Sequence, residues 1–599
     1  MKDNNKHQIR SGLKMLLAFF ILHSSFFINN IRSGLKMLLS FFILHSSFFI
    51  FTACDDFLSI VPLNDIVLEN YWTEEADVNS VVNSCYAQLE SNDCINRMLI
   101  WGEVRSDNFT NGSGTGNDLN QILKENILET NSLTTWQCFY QCINRCNTVI
   151  HYAPGVHAID PNYTEAEMKA HIAEVSAIRD LCYFYLIRAF RDVPYTTQPS
   201  IDDTKEFRIP AQKFEVVLDS IINDLEAVKG DAVRSYGDES VENKCRITRW
   251  AIYAMLADMY LWKGEYQKTI DYCDLIIDEK IREYEEEFEE DPTGMTVELY
   301  GKYPLISEAP SSSTYAGNAY DEIFGTGNSF ESIFELNFVQ NQSTTNGTVA
   351  NYYGSSSNAA GQLSAPSYLF TDAYAGLNDY FKKTDVRFLE NMAESNSRIL
   401  VKKYVNEEVR FRSTTTTGGM PTVTSSARSQ NFANWIIYRL TDVILMRAEA
   451  EVELAGNVEK GASVSDAQLD HYRRAFAGVS AVWRRANLKR VATTDTLVFD
   501  DYAASRMDME NLVLDERQRE LMFEGKRWFD LVRLCRREGE NSRMIQKVSP
   551  KFVDNTAAIK IRLAIKDYLY FPYNRTELKS NSLLQQNPAY ETDKTSLNM

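Results

Sequence analysis

RITRWAIYAMLADMYLWKGEYQKTIDYCDLIIDE, residues 246–279, decides the fold. Leu256, Ala257 and Tyr260 fall at helical spacing ahead of a turn at Gly264, and Tyr266, Ile270 and Cys273 resume that spacing after it. This is a pair of helices joined by a tight turn, with small residues that let the two approach closely. One pair cannot bury its own apolar faces, so neighbours are required. Upstream, helical patterns recur at 134–153 (Trp136, Tyr140, Ile143, Val149, Ile150), at 165–191 and at 211–229. The second of these ends at Asp192-Val193-Pro194, because proline cannot continue a helix. Residues 75–90, EADVNSVVNSCYAQLE, carry Val78, Val81, Val82, Cys85 and Leu89 on one face, with Asp77 at the cap or in the first turn.

The pair at 246–279 looks like a tetratricopeptide unit, and the upstream helices supply further pairs. The middle of the chain changes character. Residues 300–435 are rich in Ser, Thr, Gly, Asn and Tyr, with short apolar runs such as Ser332-Ile333-Phe334-Glu335-Leu336. Residues 411–431, FRSTTTTGGMPTVTSSARSQN, have no apolar face and are expected to form an exposed loop. Helices are expected again at 435–455, 465–487 and 510–537, before an irregular end from Tyr568 to Tyr590. The fold class is mostly α, a helical scaffold with a loop-rich half. The expected division is 1–53 as a signal region, 54–300 as a helical part and 301–599 as a loop-rich and C-terminal part.

The chain has 599 residues, 44% apolar and 24% charged, with a net charge of −20. That balance argues against nucleic acid, since phosphate binding needs clustered Lys and Arg. Thirty-one Tyr and 32 Phe supply rings for stacking as well as for helix packing. Among ten cysteines, Cys138, Cys142 and Cys146 sit four residues apart on one helix face, a spacing that suits buried free thiols better than a metal cluster. A Cys85–Cys94 disulfide is left open by the sequence. No cofactor or metal is called for.

Residues 9–28 (IRSGLKMLLAFFILHSSFFI) and 31–50 (IRSGLKMLLSFFILHSSFFI) are a tandem duplication with one change, Ala18 against Ser40. Each copy has a basic flank and an apolar run of signal-peptide length. The second copy leads into Phe51-Thr52-Ala53-Cys54, which resembles the lipobox of bacterial lipoproteins. That resemblance implies cleavage before Cys54 and lipidation of its thiol. Asp55 and Asp56 resemble an export signal to the cell exterior. Several acyl chains, each buried methylene contributing about 0.8 kcal/mol, anchor stably.

Residues 512–534, LVLDERQRELMFEGKRWFDLVRL, set Glu516, Glu520 and Glu524 at steps of four, interleaved with Arg517, Arg519, Arg527 and Arg533. Glycoside hydrolysis needs two carboxylates about 5–9 Å apart on opposite sides of a substrate, which neighbours on one helix face cannot provide. Ion pairing between packed helices fits better. Neither HExxH nor GxSxG occurs. Gly112, Gly114 and Gly116 lack the Lys-Ser/Thr of a phosphate loop and are read as a plain loop.

Taken in order, CDDFL at 54–58 with Tyr71-Trp72-Thr73-Glu74, WxxxYxxINRCNTVI at 136–150, Ala177-Ile178-Arg179 through Asp192-Val193-Pro194-Tyr195, YRLTDVILMRAEAEVEL at 438–454, ERQRELMFEGKRWFDLVR at 516–533 and Asn587-Pro588-Ala589-Tyr590 resemble the SusD/RagB family of nutrient-binding outer-membrane lipoproteins. Cys182 and Arg191 depart from that pattern. The resemblance implies tetratricopeptide-like pairs on one side and a ligand surface on the other. It also implies a glycan ligand, a TonB-dependent SusC-like transporter as partner and no catalysis. A peptide-binding lid, a helical-repeat scaffold and a glycan-degrading enzyme are the rivals. Expected ligand contacts are exposed aromatics with polar neighbours: Trp101 with Asp107 and Asn108, Tyr315 with Tyr320, and Tyr352 with Tyr353.

Overall fold

Helix α1 (Glu75–Leu89) opens on a capping box between Glu74 and Asp77, which places Asp77 in the first turn as the sequence suggests. It is the first element of a computed structural model that describes residues 71–201, 208–238, 240–290, 296–308, 315–316, 318–340, 345–355, 360–370, 385–412, 422–456, 463–487 and 497–591. The duplicated apolar segments and Cys54 lie outside the described residues. Helix α2 (Asn92–Leu99), capped by Ser91, runs on as a π-turn over Ile100–Val104. A short α3 (Asn117–Leu123) precedes α4 (Gln137–Ile159) and α5 (Glu165–Phe190). α4 passes through Pro154, which faces solvent, where the carbonyl left without its N–H partner can be hydrated. α5 stops at Arg191, whose φ is 70°, and Val193–Pro194 then pairs with Ala211–Gln212.

After α6 (Phe214–Val228) comes the deciding pair, α7 (Arg249–Lys263) and α8 (Tyr266–Glu290). Gly264 joins them in the left-handed region at φ 82°, a conformation that favours glycine. The two helices are close enough for the Thr269 hydroxyl to reach the Ala257 carbonyl at 3.2 Å. From α4 to α8 each helix packs on the next, and α8 packs on α9 (Leu440–Ala455), so the tetratricopeptide-like layer is continuous. Trp72–Met599 forms one compact unit. No helix among the described residues is long and apolar enough to cross a membrane.

The structure corrects three boundaries. The stretch 411–431 is not loop throughout: Thr422–Ala427 pairs antiparallel with Asn406–Arg412, which also pairs with Tyr315–Ala316. The helix expected over 435–455 begins as a strand, because Trp435–Arg439 pairs with Ser332–Leu336 in the core. The helix expected over 510–537 is broken into α11 (Arg506–Leu521), which follows α10 (Asp466–Ala486), and α12 (Arg527–Glu538). Between them Phe523 and Gly525 have φ of 69° and 75°, so Glu524 lies in a turn and not on a helix face with Glu516 and Glu520.

The carboxylates of this region are buried and ion-paired, although mostly not with the arginines of their own segment. Glu520 takes Arg439 at 2.6 Å and Arg387 at 2.9 Å, and also Arg485. Glu524 takes Arg439 and Lys403. Arg517 bridges Asp442 and Asp530, and Arg533 bridges Glu449 and Asp530. Burial works to raise the Asp442 carboxyl, but Lys526 and Arg517 beside it hold it at about 2. The folded value is below the unfolded one, so this group's stabilisation is present above about pH 4 and is lost as pH falls towards 2. Asp442→Asn takes one of two carboxylates from buried Arg517, and from half-buried Lys526 the only carboxylate it pairs with among the described residues, and is expected to cost about 3 kcal/mol at pH 7. Urea denaturation across pH 2–7 checks this: the gap to wild type narrows below pH 4.

Candidate ligand cleft

Two segments 420 residues apart in sequence interlock to make the floor of the site. Gly102 lies against Gly525 so tightly that a Cβ on Gly102 would sit 1.8 Å from the Gly525 carbonyl oxygen. The Glu103 carboxylate accepts from the backbone N–H groups of Phe523 and Gly525 and from Asn108 Nδ2. Burial nevertheless pushes Glu103 up to about 7 against those donors. Arg527 donates to both oxygens of Asp107, at 2.9 and 3.0 Å. Burial works to raise the Asp107 carboxyl, but the Arg527 guanidinium holds it below its ordinary value. Gln518 Nε2 donates to Asn108 Oδ1 at 2.7 Å.

Between Glu103 and Asp107, the same segment grips residues 551–569. Arg105 pairs with Glu125 at 2.7 Å, both fully buried, and donates to the Tyr568 and Leu569 carbonyls. Its guanidinium lies 4.3 Å from the centre of the Trp528 ring. The Lys551 ammonium donates to the carbonyls of Val104, Arg105 and Ser106, and burial pushes it down to about 8.

These contacts correct the expected ligand residues. Trp101, Asp107, Asn108, Tyr320, Tyr352 and Tyr353 are all buried. The Trp101 ring stacks on Phe139 and its N–H donates to the Leu133 carbonyl at 2.9 Å. The Tyr320 hydroxyl donates to the Lys402 carbonyl, and that of Tyr353 to the Phe523 carbonyl. The polar side-chain atoms of Trp101, Asp107, Asn108, Tyr320 and Tyr353 are all engaged within the protein, whereas the expectation was of exposed groups. Tyr315 sits in the short strand paired opposite Arg412. The fold still brings two of the candidate segments together, since Phe109 packs between Tyr353, at 5.9 Å, and Phe523, at 5.1 Å.

Above Phe109 opens a cleft of about 700 Å³ with three walls. Phe109–Asn111 forms the first, Leu123–Asn126 the second, and Lys551–Arg562, including α14 (Thr556–Leu563), which follows α13 (Ser542–Val548), the third. Phe109, Leu123, Phe552 and Ile559 make an apolar base. Asn111, Lys124, Asn126, Asp554 and Asn555 form an exposed rim. Lys124, Asn126, Asp554 and Asn555 make no side-chain hydrogen bond among the described residues, so their polar groups are available. Asp554 is the only carboxylate among the described residues of this lining. Glycine is needed at 112, where a Cβ would come within 2.3 Å of the Gly361 carbonyl and separate the strand pair Thr110–Asn111 and Leu363–Ser364. A larger groove of about 820 Å³ lies along α4, but its amides Asn144, Asn147 and Asn581 are engaged on loop backbone. Sequence reasoning passed over 551–562. The available signal is Asp554-Asn555, a turn pair between an aromatic and a helical pattern.

The architecture is that of a helical binding scaffold holding an open, polar-rimmed cleft. A profile of the SusD family matches residues 330–590, and one described as starch-binding associating with outer membrane matches residues 56–261. Together these span most of the chain, and the protein belongs to the SusD/RagB family. It is similar to SusD-like protein P25 of Formosa agariphila, 24% identical over 80% of this chain and 87% of that protein. Among solved structures, a SusD superfamily protein of Bacteroides thetaiotaomicron aligns with a TM-score of 0.61 at 18% identity, over 86% of this chain and all of the other. A laminarin-binding SusD-like protein aligns with a TM-score of 0.57 at 20% identity, over 87% of this chain and all of the other.

The Gly102–Gly525 contact admits no side chain, so Gly102→Ala is expected to destabilise by about 3 kcal/mol. Gly155→Ala, on α4 with open space around its Cβ, is expected to stabilise by about 0.5–1 kcal/mol. Urea midpoints at unchanged slope measure both.

Proposed function

We propose that this protein is a lipid-anchored surface protein that captures a glycan in the 700 Å³ cleft and delivers it to a TonB-dependent, SusC-like outer-membrane transporter, without turnover. The cleft's make-up carries the reading: an apolar base ringed by unpaired amide, ammonium and carboxylate groups. A sugar ring has an apolar C–H face and a rim of hydroxyls, which such a lining matches. The laminarin-binding relative and the starch-binding, outer-membrane description of one matching family support the ligand class and location. Cleavage before Cys54, lipidation of its thiol and export signalled by Asp55-Asp56 supply the anchor. Hydrolysis is disfavoured because the described residues of the lining offer one carboxylate where two are needed.

The chain from Asp55 onward, screened against host and plant polysaccharides by affinity electrophoresis and then calorimetry, tests the reading. One glycan class should bind with no release of reducing sugar. Lys124→Ala and Asn126→Ala should each weaken binding about tenfold, roughly 1.4 kcal/mol, with unchanged thermal stability. Silence across the panel moves the weight to a peptide ligand, and product release overturns the non-enzyme reading. Radiolabelled palmitate should enter the expressed full-length protein and be lost in Cys54→Ser.

A further inference from the structure

The chain carries a net charge of −20, so its field as a whole repels anions. The 700 Å³ cleft departs from that balance. Among the described residues of its lining, Lys124, Lys551 and Arg562 are cationic and Asp554 alone is anionic. None of the four forms an ion pair among the described residues. Lys551 is buried, with its ammonium taken up by the carbonyls of Val104, Arg105 and Ser106, and it adds its charge from beneath. Lys124 is exposed and Arg562 half-buried, so these two face the cleft itself.

Lys124 and Arg562 meet at one corner. Arg562 Nη1 donates to the Glu125 carbonyl at 2.8 Å, which holds the guanidinium against the wall that carries Lys124. The Glu125 carboxylate does not neutralise them, because it points inward onto Arg105 at 2.7 Å and both are fully buried. At the same end of α14 the carbonyls of Lys560, Arg562 and Leu563 are taken up by the N–H groups of Ala564 and Ile565 and by Asn541. Asp554 precedes the opposite end of that helix, whose first residue is ~9 Å along the axis from Arg562. A helix C-terminus favours a nearby cation, and Lys124 and Arg562 each sit at one. That accounts for each of them singly, and not for their convergence on a corner that no carboxylate faces.

The unused edge of Arg562 carries the chemistry. Its Nε and Nη2 have no acceptor among the described residues. Elsewhere in this chain the same two nitrogens grip a carboxylate: Arg105 on Glu125, Arg517 on Asp530 and Arg527 on Asp107. Two parallel N–H groups in a planar fork match the paired oxygens of a carboxylate or a sulfate ester.

We infer that the cleft selects acidic glycans, whose carboxylate or sulfate ester is held in the corner between Lys124 and Arg562 while the sugar ring rests on the apolar base at Phe109 and Phe552. The inference rests on the glycan reading proposed above and names its ligand class. A neutral sugar seated there takes water from two cations and returns nothing, whereas an acidic one supplies the missing partner. Asp554, at the far end of the wall, accepts from hydroxyls.

Matched pairs of oligosaccharides test this by calorimetry on the chain from Asp55 onward: oligogalacturonate and hyaluronan against their methyl esters, and carrageenan against its desulfated form, beside neutral starch, laminarin and xylan. An acidic member should bind at least about tenfold more tightly than its neutralised partner. The uronate pairs and the sulfate pair show which anionic group is taken. Lys124→Gln and Arg562→Gln should each remove about tenfold from the acidic member and leave its neutralised partner within about twofold, so the ratio between them collapses. Lys124 makes no side-chain bond within the fold, so its variant should keep the wild-type thermal midpoint even where loss of the Glu125 contact lowers that of Arg562→Gln. Equal binding within a pair, or preference for a neutral glycan, overturns the inference and leaves glycan capture standing. Silence from every acidic and neutral member overturns glycan capture, and this inference with it.

Discussion

The structure depends on the contact of two glycines. Gly102 and Gly525 bring the backbone after α2 against the turn between α11 and α12; a Cβ on Gly102 would strike the Gly525 carbonyl, and Gly525 takes a φ of 75° with Met98 and Trp435 close by. Once the backbones touch, Glu103 can accept from the N–H groups of Phe523 and Gly525, which the positive φ angles of that turn leave without helical partners. Asp107 and Asn108 then fall opposite Arg527 and Gln518. Each of these polar groups is buried, where an unpaired one would destabilise by about 1–3 kcal/mol, so the contacts hold together as a set. The cleft is the outer surface of that set, with Phe109 as the link between them.

The same logic extends into the charge network on the other side of the turn. Glu520 and Glu524 are surrounded by Arg387, Arg439, Arg485 and Lys403, contributed by strands and helices from the middle and later parts of the chain. Buried ion pairs are poor sources of net stability, because desolvation offsets most of the attraction. They are demanding about geometry, however, since a misplaced partner leaves an uncompensated charge in the interior. The network therefore acts mainly to exclude other packings, and it holds the strand Trp435–Arg439 and the helices α10 and α11 in one arrangement.

The helical frame was legible because its signals are local. Capping residues, the turn at Gly264 and the stop at Pro194 each act within a few residues, and the helices at 75–89, 165–190 and 249–290 follow them. The boundaries that moved were set by distant partners: Trp435–Arg439 is strand because Ser332–Leu336 lies beside it, and 510–537 breaks where Gly102 arrives. The site was less legible for a related reason. Asp107 and Asn108 look like surface residues until Arg527 and Gln518 are placed against them. The rim residues Lys124, Asn126, Asp554 and Asn555 belong to two stretches whose proximity no local pattern reveals. The residues bearing ordered helix motifs turned out to be the frame, and the cleft was left to unremarkable polar residues.

Arg105 reaches the carbonyls of Tyr568 and Leu569 across sequence separations of 463 and 464 residues, and Lys551 closes the carbonyls of 104–106 from a similar distance. These partners are synthesised 445 to 464 residues after the segment they hold. Until they emerge, the Arg105 guanidinium lacks two of its acceptors and the carbonyls of Val104, Arg105 and Ser106 lack the Lys551 ammonium. A ribosome that stalls or a protease that trims the tail before residue 570 leaves Arg105 without its carbonyl acceptors, and the cell meets an unfinished chain that quality control can recognise and remove.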